Sequence, residues 1–211
     1  MRSVDDFTAV ARIRDAAIAQ FGEHGFSVGL RAIAQAAGVS AALVIHHFGS
    51  KEGLRQACDA YVIESIRVAK TESMHNASPA AWLAQLADID SFAPMTAYLM
   101  RALREGGPLA KSLLQNMIDN AESYLDEGVR SGTLKPSRDP RARARYLAIT
   151  GGGGLLMYIQ MHDTPNDLSK VLQDYADDMM LPSLELYTEG LLTDPTIYET
   201  FLARQHDTDK E

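Results

Sequence analysis

Apolar residues recur every three or four positions along almost the whole chain, as in Val10, Ile13, Ala17, Ile18 and Phe21. This spacing places them on one face of an α-helix. No long stretch shows the strict alternation of apolar and polar residues that is typical of a half-buried β-strand. The pattern therefore predicts an all-α fold.

Capping residues, prolines and glycines divide this pattern into separate helices. Ser78, Asp139 and Asp194 each stand before a proline, an arrangement typical of the first turn of a helix. Glycines such as Gly38 and Gly49 supply turns. We predict helices over 8–23, 29–36, 40–47, 50–75, 79–89, 92–105, 108–131, 139–163, 167–190 and 195–205.

The predicted helices differ in length along the chain. The first three are short and closely spaced, whereas most of the later ones are long. We therefore expect an N-terminal three-helix domain over residues 1–53 and a larger C-terminal helical bundle over residues 54–211. The fourth helix would link the two.

Composition narrows the class of protein. The chain has 211 residues, of which 46% are hydrophobic and 23% charged, a mixture that excludes intrinsic disorder. We found no apolar run long enough to span a membrane and no apolar core of a secretion signal near Met1, so we expect a cytoplasmic protein. Cys58 is the single cysteine, so no internal disulfide is expected. No Cys/His cluster has the spacing of a zinc site, so we expect no structural metal, and we expect no cofactor. The net charge of −8 comes mainly from residues after position 60.

Residues 30–48 read Leu-Arg-Ala-Ile-Ala-Gln-Ala-Ala-Gly-Val-Ser-Ala-Ala-Leu-Val-Ile-His-His-Phe. They predict two short helices joined by a turn at Gly38, with Ser40 capping the second helix. Small Ala34 allows the helices to cross closely, and Val44 can pack beneath them. This is the pattern of a helix-turn-helix, whose second helix enters the DNA major groove. A helical hairpin without a DNA role shares much of it.

A wider window resembles one known family. Residues 16–26, Ala-Ala-Ile-Ala-Gln-Phe-Gly-Glu-His-Gly-Phe, are followed by Ile-Ala-Gln-Ala-Ala-Gly-Val-Ser at 33–40 and His-Phe-Gly-Ser-Lys-Glu-Gly-Leu at 47–54. In order and spacing these motifs resemble the N-terminal domain of TetR-family transcriptional regulators. The resemblance covers roughly residues 8–60. It implies a homodimer that represses transcription from a near-palindromic operator in double-stranded DNA and releases it on binding a small molecule.

The resemblance also implies which residues contact DNA. Lys51, at the start of the fourth helix, matches the family position that holds a phosphate, and a solvated lysine is the alternative. His47 is expected at the DNA backbone, although it can instead lie beneath a helix, and Leu43 is either a base contact or a core residue. The predicted DNA-binding residues are Arg31, Ser40, Ala41, Leu43, His46, His47 and Lys51.

Two departures from the family pattern stand out. The segment from Phe26 to Arg31 is about one residue shorter than usual, so the cap of the second helix must come from Ser27 or a backbone group. Ile45 stands where a tyrosine hydroxyl is expected to contact phosphate, and His46 is a partial replacement for it.

The C-terminal bundle is rich in methionine and aromatic residues. These side chains can line an adaptable apolar pocket, but at helical spacing they can equally form plain core. The family resemblance favours a pocket, and we expect its ligand to be largely apolar and uncharged or cationic. The predicted ligand-binding residues are Trp82, Phe92, Met95, Tyr98, Met117, Met157, Tyr158 and Met161.

Four consecutive glycines, Gly151 to Gly154, lie inside a predicted helix. Relative to alanines they cost about 3–4 kcal/mol of helix stability. In similar proteins the last two long helices pair with those of a second copy, and missing side chains would allow close contact there. A kink facing the ligand is the alternative. The apolar residues expected at the interface are Tyr146, Leu155, Leu156, Ile159, Leu184, Leu186 and Tyr187, and Pro182 should bend or interrupt its helix.

An enzyme is the main competing class. The sequence contains no nucleophile elbow, phosphate-binding loop, dinucleotide fingerprint or zinc-protease helix. Cys58 has no base close to it in sequence, so we do not expect catalysis. The remaining alternative is a helical small-molecule-binding or adaptor protein, which would show no salt-dependent affinity for duplex DNA.

Overall fold

The computed structural model describes residues 4–75 and 78–208, with the side chains at 4–7, 85, 108–109 and 205–208 left aside. Every regular element in these ranges is helical, so the all-α prediction is confirmed. A short 3-10 helix, Ile89–Phe92, precedes α6. The α-helices are α1 Val4–His24, α2 Leu30–Ala36, α3 Ala41–Phe48, α4 Lys51–His75, α5 Pro79–Ala87, α6 Ala93–Glu105, α7 Gly107–Arg130, α8 Pro140–Met161, α9 Leu168–Thr188 and α10 Thr196–Thr208.

The predicted caps mostly form as expected. Ser40 Oγ accepts a hydrogen bond from Leu43 N at 3.1 Å, and Ser78 and Asp139 cap α5 and α8 in the same way. Asp194 accepts from Thr196 N, at the start of α10. Helix α2 has no side-chain cap, so the Ser27 alternative is wrong: α2 starts after Gly29, whose carbonyl accepts the first backbone hydrogen bonds.

The N-terminal three-helix region, α1–α3, does not have a core of its own. Its buried residues include Ile13, Ile33 and Val44, and they join one cluster with Leu54 of α4 and Tyr98 of α6. Helix α1 therefore packs against both α4 and α6. The three-helix region and the bundle share a continuous apolar contact.

A close approach of helices marks this contact. Gly22 lies on α1, and a Cβ placed there would be 2.9 Å from Ala97 Cβ and 3.0 Å from Tyr98 N. Only a residue without a side chain allows α1 and α6 to pack at this distance. Position 22 is therefore a packing glycine within α1, whereas the turn that ends α1 is made by Gly25 with φ +84°.

Helices α7 and α8 pack against each other, and α8 runs unbroken through the four glycines. Ile159, which we expected at an interface, is instead buried with Leu99 and Val171. Leu155 and Leu156 are half-buried against the same cluster, whereas Tyr146 is exposed. On α8 the interface prediction is therefore wrong for the inward-facing Ile159.

The chain divides into two compact units, residues 1–173 and 174–211. Within the second unit, Leu184, Leu186 and Tyr187 are exposed. Helix α9 continues through Pro182, so the predicted interruption is wrong. Proline removes a single backbone donor, and the hydrogen bonds on either side can maintain the helix. The boundary predicted after residue 53 stays a prediction. No helix in the described ranges is both long and apolar enough to cross a membrane.

Candidate nucleic-acid interface

Helix α3 has one buried side and one open side. Val44 is fully buried, and Ala41 packs against the shared core. Ala42, Ile45 and His46 are exposed on the outer side. The helix is held at its start by the Ser40 cap and at its end by Gly49, whose N–H donates to the Ile45 carbonyl at 2.8 Å. This short, anchored helix with a free outer side has the form of a major-groove recognition helix.

The seven predicted DNA contacts fall into two groups by exposure. Arg31 on α2, Ser40 and His46 are exposed, whereas Ala41, Leu43, His47 and Lys51 are half-buried. Leu43 thus keeps part of its side chain at the surface. The exposed group has the polar side chains that can reach base edges or phosphates.

His47 is more enclosed than its predicted role requires. Its Nε2 atom is buried and has no hydrogen-bond partner among the described residues. The ring lies edge-on to the rings of His46 and Phe48, with centroid distances of 5.2 and 6.4 Å. A phosphate contact through Nε2 would therefore require this nitrogen to become accessible on DNA binding.

The junction between α3 and α4 positions Lys51. Ser50 Oγ accepts from Gly53 N at 3.0 Å and so caps α4, on which Lys51 is the first residue. The N–H groups of a first helical turn lack partners within the helix and attract anions. A Cβ at Gly53 would lie 2.1 Å from the carbonyl oxygen of Phe48, so the end of α3 presses directly on this turn. We gave Gly53 no role from the sequence, although it belongs to the motif at 47–54.

A buried polar pair lies where α4 meets α6. Tyr98 Oη donates a hydrogen bond of 2.6 Å to Asp59 Oδ1, and both side chains are buried. Burial raises the pKa of Asp59, while the Tyr98 hydrogen bond and the charge of Arg55 act to lower it. Burial also raises the pKa of Tyr98. Tyr98, which we predicted to contact a ligand, joins the two helices through this hydrogen bond. Asp59 was not singled out from the sequence because its partner lies on a different helix.

The other predicted ligand-binding residues are dispersed. Met117 packs between two core clusters, and Tyr158 is half-buried against one of them. Met157 and Met161 lie on the outer side of α8, with exposures of 68% and 81%. Trp82, Phe92 and Met95 are half-buried.

A cavity of about 490 Å³ lies elsewhere, between the end of α1, α6 and the end of α8. Its walls include Glu23 and His24 of α1, Arg101 and Arg104 of α6, and Ile159 of α8. None of the eight predicted ligand-binding residues lines it. Sequence spacing could not reveal it because three separate helices contribute its walls.

Comparisons with known proteins cover both parts of the chain. Residues 13–58 match the family model described as "Bacterial regulatory proteins, tetR family", and residues 90–193 match "Tetracyclin repressor-like, C-terminal domain". The chain is 69% identical over 203 residues to the HTH-type transcriptional regulatory protein RaaS of Mycobacterium tuberculosis, an alignment that covers 96% of this chain and 95% of that protein.

Two further comparisons agree. Over 51 residues, 24% of this chain and 23% of the relative, the chain is 45% identical to the HTH-type transcriptional dual regulator CecR of Shigella flexneri. A crystal structure of a putative TetR-family transcriptional regulator from Rhodococcus sp. has the same fold, with a TM-score of 0.59 and 18% identity, covering 82% of this chain and 99% of that one. The resemblance noted in the sequence is confirmed: the chain belongs to the TetR family of DNA-binding transcriptional regulators.

Proposed function

We propose that the protein is a repressor that binds a near-palindromic operator as a homodimer and releases it when a largely apolar small molecule binds. The single observation that carries the proposal is the anchored helix α3, whose outer side is free while Val44 fixes its inner side in the shared core. A recognition helix held this firmly can present its side chains to base edges in one register.

Six of the seven predicted contacts have a chemical role in this proposal; His47 has none while its Nε2 stays buried. Arg31 and Lys51 bind phosphates, which fix the position of the protein on the duplex. His46 and Ser40 offer hydrogen-bonding groups to bases or backbone. Leu43, being partly exposed, can contact a thymine methyl group, as can Ala41.

A Lys51→Ala variant tests the phosphate contact. Affinity for duplex DNA should fall for all sequences, and the slope of log K against log salt should become shallower by about 0.9 for each phosphate that is no longer neutralised. Gel-shift titrations at several salt concentrations measure both quantities. The matched control is Lys111→Ala, which removes an exposed lysine from α7. Affinity and slope equal to those of the wild type would show that Lys51 does not bind phosphate.

The proposed dimer uses the outer side of α8. Tyr146, Ile149, Met157 and Met161 are all at least half exposed there, at spacings that place them along one side of the helix. A Cβ at Gly153, between them, would meet nothing within 4 Å. An exposed apolar stripe of this kind marks an interaction surface, and close packing against a second copy would offset the cost of the glycines.

Sedimentation measurements test the dimer. Met157→Glu should shift the protein toward monomers because it places a charge in the proposed interface. Leu83→Glu is the matched control, since Leu83 is equally exposed but lies on α5. A dimer that is unaffected by Met157→Glu excludes this surface. If the dimer binds DNA symmetrically, the protected operator should be near-palindromic.

Ligand release requires a connection between the bundle and the DNA contacts. Helix α4 provides it, because Lys51 stands at one end and the helix packs along its length against α1 and α7. A coupling typical of allosteric proteins would weaken operator binding about 5–150-fold. Operator DNA must then weaken ligand binding by the same factor. Calorimetric titration of a ligand found by thermal-shift screening measures both directions, and equal ligand affinity with and without operator would contradict the mechanism.

The proposal also assigns a place in the cell and includes no catalytic activity. A regulator of chromosomal operators works in the bacterial cytoplasm, where we propose that this protein acts. We assign no catalytic role to Cys58, because it is fully buried and burial raises its pKa to about 12. An adaptor that does not bind DNA is not favoured. If the protein does not bind duplex DNA, or binds it with an affinity that does not depend on salt, it would be such an adaptor.

A further inference from the structure

The cavity of about 490 Å³ has two chemically distinct parts. Met100 and Ile159 are buried and Leu156 is half-buried, and together they form an apolar wall. Arg101, Arg104 and His24 bring cationic or hydrogen-bonding groups to the same space. The volume lies within the range of small-molecule sites, which combine apolar walls with a few polar groups that orient the ligand.

The charges around the cavity are unbalanced. Two guanidinium groups line it against a single carboxylate, that of Glu23. The Glu23 carboxylate lies 3.7 Å from the His24 ring nitrogen Nε2, on its own helix. Arg104 is exposed and has no ion pair or hydrogen bond within the described part of the chain. The residues that line the cavity therefore carry more cationic than anionic groups, although the chain as a whole is acidic and the Glu105 carboxylate lies near Arg101 beside Gly25.

We propose that this cavity binds an amphipathic organic anion. The apolar part of the ligand packs on Met100, Leu156 and Ile159, and its carboxylate or phosphate binds Arg101 and Arg104. Guanidinium groups suit this task because their planar arrangement of donors matches both kinds of anion. From the sequence we expected an uncharged or cationic ligand. The ligand proposed here is an anion, because the fold places two arginines beside an apolar wall.

Arg101 links the cavity to the DNA-binding region. Its Nη2 donates a 3.1 Å hydrogen bond to the main-chain oxygen of Glu23, in the last turn of α1. Carbonyl groups in the last turn of a helix lack partners within the helix, so this donor holds the end of α1 against α6. An anion bound by Arg101 competes with that carbonyl for the guanidinium.

The cavity also lies beside a close contact between α1 and α6. Gly22 of α1 and Ala97 of α6 both line the cavity. A Cβ added at Gly22 would lie only 2.9 Å from the Cβ of Ala97. A ligand here can alter the packing of α1, which shares its core with the recognition helix α3. We infer that anion binding lowers operator affinity by shifting α1, an inference that rests on the proposed release of DNA by a ligand.

The binding test uses three probes of similar shape with the full-length protein. These are 2-naphthoate, 2-naphthyl phosphate and the neutral 2-naphthamide, each titrated by calorimetry or fluorescence. One or both anions should bind more tightly than the amide, and the better anion identifies the preferred head group. Arg104→Gln should weaken anion binding roughly 10-fold to 100-fold, as expected for loss of a charged hydrogen-bonding partner, and leave the amide unchanged.

Controls separate the site from general charge effects. Arg138→Gln removes an exposed arginine that does not line the cavity, and should leave anion binding unchanged. Arg101→Gln should weaken anion binding as well, and a thermal-unfolding curve checks that the variant is folded. Equal binding of anions and amide, or anion binding unaffected by Arg104→Gln, would overturn the proposed site.

The regulatory part is measured separately with operator DNA. The better anion should weaken operator binding by the wild type about 5–150-fold and that by Arg104→Gln much less. If the anion binds through Arg104 but operator affinity is unchanged, the site stands and its coupling to α1 is wrong. If the protein without ligand shows no specific affinity for any operator, the proposed repressor function fails, whatever the outcome of the anion titration.

Discussion

The buried pair of Tyr98 and Asp59 should be worth a measurable part of the stability. Tyr98→Phe removes the hydroxyl that donates to Asp59 at 2.6 Å and changes little else in a fully buried side chain. A buried acceptor that loses its donor destabilises a protein by about 1–3 kcal/mol. For a chain of this size, each kcal/mol corresponds to roughly 2–4 °C, so we expect Tm to fall by roughly 2–12 °C.

The effect should depend on pH in a direction that the structure fixes. Because burial raises the pKa of Asp59, the folded protein binds a proton at this group more readily than the unfolded chain. Its contribution to stability therefore falls as pH rises from the unfolded pKa through the folded one. The Tyr98 hydrogen bond lowers the pKa of Asp59. Losing that bond in Tyr98→Phe therefore raises the pKa of Asp59 further. The difference between wild type and Tyr98→Phe should thus be larger at neutral than at acid pH.

Unfolding by heat or urea from about pH 5 to pH 8, at one protein concentration, measures this difference. Asp59→Asn is the matched variant, because its amide oxygen can still accept from Tyr98 but carries no charge. At neutral pH it should be at least as stable as the wild type, and its stability should vary less with pH. Equal stability of wild type and Tyr98→Phe, or a difference that does not change with pH, would refute the reasoning.

Three further predictions concern other sites. Gly53→Ala should weaken operator binding in a gel shift, because its Cβ would overlap the Phe48 carbonyl and displace the first turn of α4; unchanged affinity would contradict this. Gly153→Ala, whose Cβ meets open space within one chain, should stabilise α8 by about 1 kcal/mol yet weaken the dimer in sedimentation experiments if the outer side of α8 is the interface. Cys58 should resist iodoacetamide at neutral pH until the protein unfolds, since burial raises its pKa to about 12; rapid alkylation of the folded protein would show that the site opens.

The sequence by itself determined the helices and the DNA-binding motif. Each rests on interactions between residues close in the chain: a cap such as Ser40 bonds to a backbone group three residues later, and an apolar stripe repeats with every helical turn. The predicted turn requires a positive φ at Gly38, and Gly38 has one. This requirement arises from the local backbone alone. These features hold however the helices are arranged in space.

The tertiary structure alone decided which side chains from different helices meet, and which apolar residues of α8 are buried. Tyr98 pairs with a carboxylate 39 residues earlier, and Ile159 packs inward while Met157, two positions before it, lies outside. Such outcomes depend on how three or four helices pack together, and no local pattern specifies that arrangement. The cavity beside Arg104 likewise exists only because α1, α6 and α8 meet, so its chemistry could be recognised only in the folded chain.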